Sequence, residues 1–421
     1  MRYETYDAVV IGGGAAGMAA AVTLSKRGKS VIMFEREPQL GGILLQCIHN
    51  GFGLQEFKEE LTGCEYAERF TKQVASSSIT VKLNTTVLEL LQKDDKKVVI
   101  ACNRNEGILE VESKVIVLAM GCRERNRGNI NTPGTRPSGV FTAGLAQRLV
   151  NIEGYIPGKE VVIVGSGDIG LIMARRMTWV GAKVKAVIEI QPNPAGLTRN
   201  IVQCLNDYSI PLYLSHIVSE IRGKDRVESV CVTPLEEGRP NEDKSFTISC
   251  DTVLYSVGLV PDNEITKTIG LSLNPETGGA WVDANLMTKI PGIFSCGNVL
   301  HVHDLVDYVS EEAMRCGNFA ANYIEEKTLQ CPIQLKAGGN VKYVVPNAIN
   351  LEEPSKMYLR PLIVKNSATL EVRCNNTVLK SIKLRHVQPS EMISYTFDPN
   401  KLEAEELMDL NTHNSLEIAL S

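Results

Sequence analysis

Two stretches of the chain carry the same ordered pattern of apolar and polar positions. Residues 6–11 (YDAVVI) form a short apolar run rich in β-branched side chains, which predicts a parallel strand buried on both faces. Residues 15–27 space their apolar positions for a helix and stop at Gly28, a natural left-handed cap. A second strand, residues 30–34 (SVIMF), ends at Glu35. The order then recurs: strand 160–164 (EVVIV), helix 168–180 capped by Gly181, and strand 184–188 (VKAVI) ending at Glu189. One strand–helix–strand unit used twice predicts two α/β domains.

The rest of the pattern fills in around these units. Residues 81–91 and 98–101 predict strands of a meander, and residues 115–119 (VIVLA) a buried strand that residues 251–257 (DTVLYSV) mirror in the second unit. Residues 293–296 (IFSC) lead into Gly297, and a long helix is expected from about 310 to 326. Met177 and Trp179 stand at helical spacing and are expected in a core. The character changes at residues 330–339. Short alternating strands follow at 358–364, 369–374, 379–387 and 393–397, parted by turns such as Asn375-Asn376 and Pro389-Ser390, which predicts an appended β-sandwich.

Composition narrows the function. A chain of 421 residues is long enough for two or three separate cores. Its net charge of −5, with no long Lys/Arg run, argues against nucleic acid as a partner and supplies no polybasic membrane anchor. Eleven cysteines include no C-x-x-C pair and no grouping with histidines at zinc spacing, so neither a metal nor an iron–sulfur centre is expected. They read as reduced thiols of a cytoplasmic protein. The apolar stretch 8–24 is preceded by Glu4 and Asp7 and broken by glycines, unlike a signal peptide or a membrane span. No integral membrane segment is expected, and any membrane contact would be peripheral.

The chemistry enters with the glycines. Gly12-Gly13-Gly14-Ala15-Ala16-Gly17 fits G-x-G-x-x-G between a strand and a helix, and Glu35 closes the next strand. In that arrangement the first glycine turns the chain and the second admits a diphosphate to the backbone. The third lets helix and strand pack closely, and the carboxylate takes ribose hydroxyls. Gly165-Ser166-Gly167-Asp168-Ile169-Gly170 with Glu189 repeats this in the second unit. A carboxylate there accepts from a free 2′-hydroxyl and repels a 2′-phosphate, so NAD is expected rather than NADP, with Lys183 and Lys185 as ordinary surface residues. The expected fold class is α/β: two Rossmann-like three-layer dinucleotide-binding domains plus a small C-terminal all-β domain. The expected boundaries are 1–125 with 260–328, then 126–259, then 329–421.

Over residues 1 to about 325 the sequence resembles the pyridine nucleotide-disulfide oxidoreductases and thioredoxin-reductase-like flavoproteins. Residues 115–121 (VIVLAMG), 251–261 (DTVLYSVGLVP), 288–298 (TKIPGIFSCGN) and Gly41-Gly42 carry the likeness, besides the two glycine motifs. The resemblance implies FAD contacts at Gly12, Gly14, Ala15, Ala16, Gly17, Glu35, Arg36, Gly42, Val87, Ala119, Gly121, Gly297 and Asn298. It implies NAD(H) contacts at Gly165, Gly167, Asp168, Ile169, Glu189 and Gly258. The late signature ends in Asn298 where the family has Asp, a neutral group that still hydrogen-bonds a ribityl hydroxyl. The places of the family's two redox cysteines are held by Leu44 and His49, and a dithiol relay needs two sulfurs in contact.

Residues 46–54 (QCIHNGFGL), 121–134, 140–149 and 298–312 (NVLHVHDLVDYVSEE) look like a subfamily without the dithiol, associated with anaerobic glycerol-3-phosphate dehydrogenase. This implies hydride exchange between NADH and flavin, and electron exchange with a partner dehydrogenase flavoprotein or a small carrier, in a homo- or hetero-oligomer. Two other readings stand beside it: a free-standing NADH oxidase or peroxidase using Cys47, and an idle flavoprotein acting as sensor or scaffold.

Cys47 is either a redox cysteine or a small residue packed beside the flavin ring. His49 is either a proton donor or a histidine of a tight Asn-Gly turn. His301, His303, Asp304 and Asp307 form a polar cluster after the flavin signature, with His303 and Asp304 as catalytic candidates and Asp307 alternatively a helix N-cap. Arg123, Glu124, Arg125 and Arg127 are either phosphate ligands or a solvated linker.

Overall fold

The computed structural model describes residues 2–93, 96–375 and 377–421. Strand β1 (Arg2–Ile11), helix α1 (Ala15–Lys26) and strand β2 (Val31–Phe34) open the chain, followed by β3 (Thr80–Lys82), β4 (Thr86–Lys93), β5 (Lys96–Asn103) and β6 (Gly107–Leu118). The stretch 81–91 is therefore two strands, because the chain turns at Asn84, whose φ is +51°. β3 runs parallel to β2, whereas β4 belongs to an antiparallel meander with β5 and β6.

A compact unit covers residues 123–260. Its parallel sheet contains β7 (Val140–Thr142), β8 (Glu160–Val164), β9 (Lys183–Ile188), β10 (Leu212–Tyr213) and β11 (Thr252–Tyr255), in the order β7-β11-β8-β9-β10. Helix α2 (Asp168–Trp179) connects β8 to β9. Met177 is in the core, but Trp179 is 57% exposed; its ring lies beneath Arg175 and its Nε1 donates to Tyr208 Oη at 2.5 Å. A core position was expected for it. Here the ring stays at the surface, where the cation stacks on it and the phenol accepts its N–H.

The other unit takes in residues 1–122 and 261–421. After residue 261 the chain adds β12 (Ile293–Ser295), which pairs in parallel with the last residues of β6, and then helix α3 (Val306–Ile324). The twelve-residue β6 thus serves two partners on one edge: β5 along its first half and β12 along its end. Helix α3 begins four residues earlier than the apolar spacing indicated. Its first turn reads as polar because Asp307 is charged, yet Asp307 is buried and bonded.

Beyond α3, residues 333–420 build two sheets around their own apolar core. One is ordered β15-β13-β20-β17-β18 and the other β14-β16-β19, from β13 (Ile333–Ala337), β14 (Val341–Val345), β15 (Ala348–Ile349), β16 (Ser355–Pro361), β17 (Lys365–Cys374), β18 (Thr377–Val387), β19 (Ile393–Phe397) and β20 (Ser415–Leu420). The region is not all-β: helix α4 (Ala404–His413) starts at a capping box formed by Glu403 and Glu406. Of the expected Asn375-Asn376 turn, Asn376 lies outside the described residues.

Candidate cofactor sites and a buried histidine pair

The two strand–turn–helix units are built alike down to single hydrogen bonds. A Cβ on Gly12 would sit 2.4 Å from the Ala119 carbonyl oxygen, and one on Gly165 would sit 2.1 Å from that of Ser256. Both glycines have φ near +100°, at +104° and +95°. A Cβ on Gly17 would meet the Gly12 oxygen at 1.8 Å, and one on Gly170 the Gly165 oxygen at 2.8 Å. Packing therefore requires the first and third glycines of each motif. The second is different. Gly14 has nothing within 4 Å of a Cβ position, and Gly167 has only ordinary contacts at 3.6 and 3.8 Å, while both keep a negative φ. Among the described residues, nothing demands glycine at these two positions. An approaching diphosphate does, so the cradles fit dinucleotides.

The carboxylates match in the same way. Buried Glu35 accepts from Gly13 N at 2.6 Å and Glu37 N at 2.8 Å, and buried Glu189 from Ser166 N at 2.8 Å and Gln191 N at 2.9 Å. Backbone amides thus fix each carboxylate at the mouth of its turn. Helix α1 has no side-chain cap and no acidic residue in its first turn, which leaves its positive end for an anion. In α2, Asp168 instead accepts from Leu197 N and Asn200 Nδ2, and Ile169 is half-buried against the core. Of the nearby lysines, Lys185 pairs with Glu160 at 2.8 Å and Lys183 is exposed.

Within the first unit the remaining flavin-type segments converge on the same turn. A Cβ on Gly42 would lie 3.1 Å from Gly14 Cα, and Gly41 N donates to Gly13 O. A Cβ on Gly297 would lie 2.8 Å from the Ala16 Cβ, so the early and late signatures touch through glycine and alanine beside Ala15. Gly121 turns with φ +74°, Arg36 is exposed, and Val87 turns its side chain into the core beside a bulge at Leu88. Asn298 Oδ1 accepts from His303 N at 3.0 Å, and its Nδ2 approaches Cys122 Sγ at 3.6 Å. Gly258, in the other unit, has φ +100° and accepts from Arg125 N.

The residues proposed for chemistry part company. Cys47 is half-buried with Sγ donating to Ile43 O at 3.4 Å. Burial, with Cys64 beside it, pushes its thiol up to about 12. That suppresses the thiolate a redox cysteine needs. Cys64, which the sequence gave no reason to pair with Cys47, lies in the helix Gly63–Ala75 and donates to Leu45 O in the short helix Gly42–Gln46. His49 is half-buried, with Nδ1 3.1 Å from Asn50 O and its ring against Phe52. The Asp304 carboxylate is gripped by Arg360 at 2.8 and 3.0 Å and by Met392 N, the geometry of a structural clamp. Asp307 is no N-cap: Leu305 holds that place, and Asp307 collects the amides of Gly53, Gln55 and Glu56. Arg127 donates to the carbonyls of residues 132–135, and Glu124 caps the helix Ala143–Asn151 through Gly144 N and Leu145 N. Arg123 and Arg125 are exposed.

His301 and His303 are buried and share one acceptor, Glu312 of α3, at 2.9 and 3.2 Å from their Nε2 atoms. Among the described residues these three form the one group with ligand atoms close enough for a metal, all within 4.8 Å. A metal held through both Nε2 atoms would put a proton on each Nδ1, and both Nδ1 atoms are buried with no partner. Metal-bound histidines ordinarily donate that proton to an acceptor. Two Nε2–H donors on a carboxylate leave only lone pairs unfilled, and this hydrogen-bonded arrangement is the one the geometry supports.

The model of the pyridine nucleotide-disulphide oxidoreductase family matches residues 6–316, about three quarters of the chain. The chain belongs to this family. Its members' cofactors are FAD and a nicotinamide dinucleotide. It is 25% identical over 284 residues to the hydrogen cyanide synthase subunit HcnB of Pseudomonas aeruginosa, covering 62% of this chain and 59% of that one. With the CoA-dependent NAD(P)H sulfur oxidoreductase of Pyrococcus abyssi it shares 27% over 309 residues, 71% of this chain and 63% of the other. The match spans less than two thirds of the length of both relatives. Among solved structures, thioredoxin reductase of T. acidophilum aligns with a TM-score of 0.61 at 21% identity, over 76% of this chain and 98% of that one. This likeness shows the fold alone. Among the described residues, no helix is long and apolar enough to cross a membrane.

Proposed function

We propose that the protein is an NADH-linked FAD oxidoreductase without a redox dithiol, exchanging electrons with a partner dehydrogenase linked to glycerol-3-phosphate. In this reading FAD belongs to the unit of residues 1–122 and 261–421, and NAD(H) to the unit of residues 123–260. The observation that carries it is the pair of second glycines, Gly14 and Gly167, which the protein's own packing does not require. Glu35 and Glu189, each held by two backbone amides, are the ribose acceptors. A buried carboxylate at the second site, with Lys185 already paired, favours a free 2′-hydroxyl and hence NADH over NADPH. The glycerol-3-phosphate link is supported by the segments 46–54 and 298–312.

FAD, when bound, supplies two-electron exchange with the nicotinamide. The chain's own residues bind and orient. The α1 N-terminus and Gly14 take the diphosphate, and Gly42, Gly297 and Asn298 approach from the other segments. Leu44 is buried and His49 stands where a second sulfur would, so electrons leave without a thiol relay. The raised Cys47 thiol weighs against the oxidase reading.

Stopped-flow mixing of the holoprotein with NADH and with NADPH tests the proposal. NADH is expected to bleach the flavin within seconds and at least ten times faster than NADPH, with slow reoxidation by oxygen alone. Cys47→Ser is expected to keep its bleaching rate within about twofold. A flavin that neither nucleotide bleaches would sink the reading.

A further inference from the structure

Glu312 lies in the middle of α3, carries no predicted role, and is fully buried. Its carboxylate takes three N–H donors: Gly297 N at 2.7 Å, His301 Nε2 at 2.9 Å and His303 Nε2 at 3.2 Å. All three come from the turn that also contains Asn298, whose Oδ1 accepts from the His303 backbone. The same turn is held from the C-terminal sheets. Arg360 of β16 grips Asp304 and the Val302 carbonyl, and Tyr343 and Tyr358 enclose the imidazoles at 5.2 to 6.0 Å between ring centres.

We infer that Glu312 is a positioning residue for FAD: by gathering the Gly297 amide and both imidazoles onto one carboxylate, it fixes the turn that presents Gly297 and Asn298 to the cofactor. The inference rests on the reading that this turn contacts FAD. An acceptor-only group suits the place, since three donors converge on it. Glutamine there would turn its own N–H2 against one of them, and an apolar residue would leave all three buried and unpaired. The carboxylate also sets a fixed negative charge one hydrogen bond away from Gly297, with little water to screen it. Removing that charge while keeping the side chain's shape should therefore ease the acceptance of electrons by the bound flavin.

Three holoproteins decide the matter: the unaltered chain, Glu312→Gln and Glu312→Asp. Each is measured for the FAD dissociation constant and for the midpoint potential of bound FAD. Glu312→Gln is expected to bind FAD at least tenfold more weakly and to shift the potential positive, whereas Glu312→Asp keeps the lower potential with intermediate affinity. A Glu312→Gln protein within twofold of the original affinity would overturn the inference. So would one with weakened affinity and an unmoved potential, which marks a merely structural residue. If Glu312→Gln does not fold, His303→Gln serves, since it leaves the carboxylate and two of its donors. At least threefold weaker FAD binding is expected there, and unchanged binding overturns the inference. Should the unaltered chain bind no FAD, the cofactor reading itself fails; should it bind FAD while the variants behave like it, only the role of Glu312 fails.

Discussion

Burial first, and then the neighbouring His303, hold the His301 imidazole down to about 4, so it is neutral in the folded protein near pH 7. In the unfolded chain the same ring titrates near about 6.5. As pH falls from there toward 4, the unfolded state takes up a proton that the folded state refuses. The contribution of His301 to stability is therefore whole above about 6.5 and is lost through that window. Burial alone would raise the Glu312 carboxyl, but His303 and His301 outweigh it and hold it well below the usual carboxylate range. Its contribution is present above the ordinary Glu value and disappears at more acid pH still. Thermal melts between pH 7 and pH 4.5 should show a falling Tm, and His301→Asn should flatten the fall while lowering the plateau. A variant whose melts keep the original slope would refute the assignment. None of this was legible in the sequence. His301 and His303 stood out as a cluster, but Glu312 reads as one more polar position on a helix until the fold brings it beneath them.

At the scale of the strand–turn–helix element, the spacing of three glycines and one acid announced both cradles without ambiguity, because each residue answers a constraint local to about thirty residues. The structure adds which glycine answers to what. Gly17→Ala should prevent folding of the first unit, since the methyl group would overlap the Gly12 carbonyl. Gly14→Ala should leave the apoprotein's Tm within about 2 °C, a shift worth about 1 kcal/mol in a unit of this size, yet weaken FAD binding at least tenfold. Titration calorimetry and melting of the apoprotein separate the two outcomes, and equal damage from both substitutions would contradict the division of labour. The element boundaries were less legible. The break at Asn84 depends on one left-handed residue in an otherwise apolar run, and the early start of α3 depends on amides delivered by residues 53–56, over 250 positions away.

For the molecule as a whole, the C-terminal sheets were visible only in part. The alternating strands after residue 357 announced themselves, while β13, β14, β20 and α4 did not, since their partners lie far along the chain. Nor could sequence show that this region holds the Gly297–Asp304 turn through Arg360. Arg360→Ala removes a half-buried guanidinium from a bidentate pair and leaves Asp304 with the Met392 amide but no cation. Loss of about 1–3 kcal/mol is expected, read as a lower denaturation midpoint together with faster FAD release. Stability falling with no change in FAD release would show that the domain caps the protein without reaching the turn.

The double use of β6 has a consequence for how the chain is made. Its last residues wait for a neighbour, residues 293–295, that the ribosome produces only after the whole segment 123–260. That inserted segment is continuous and can complete its sheet as it emerges. A nascent chain stalled near residue 300, with residues 293–295 still inside the ribosome, should therefore already protect the inner segment from protease while its first hundred residues are still cut.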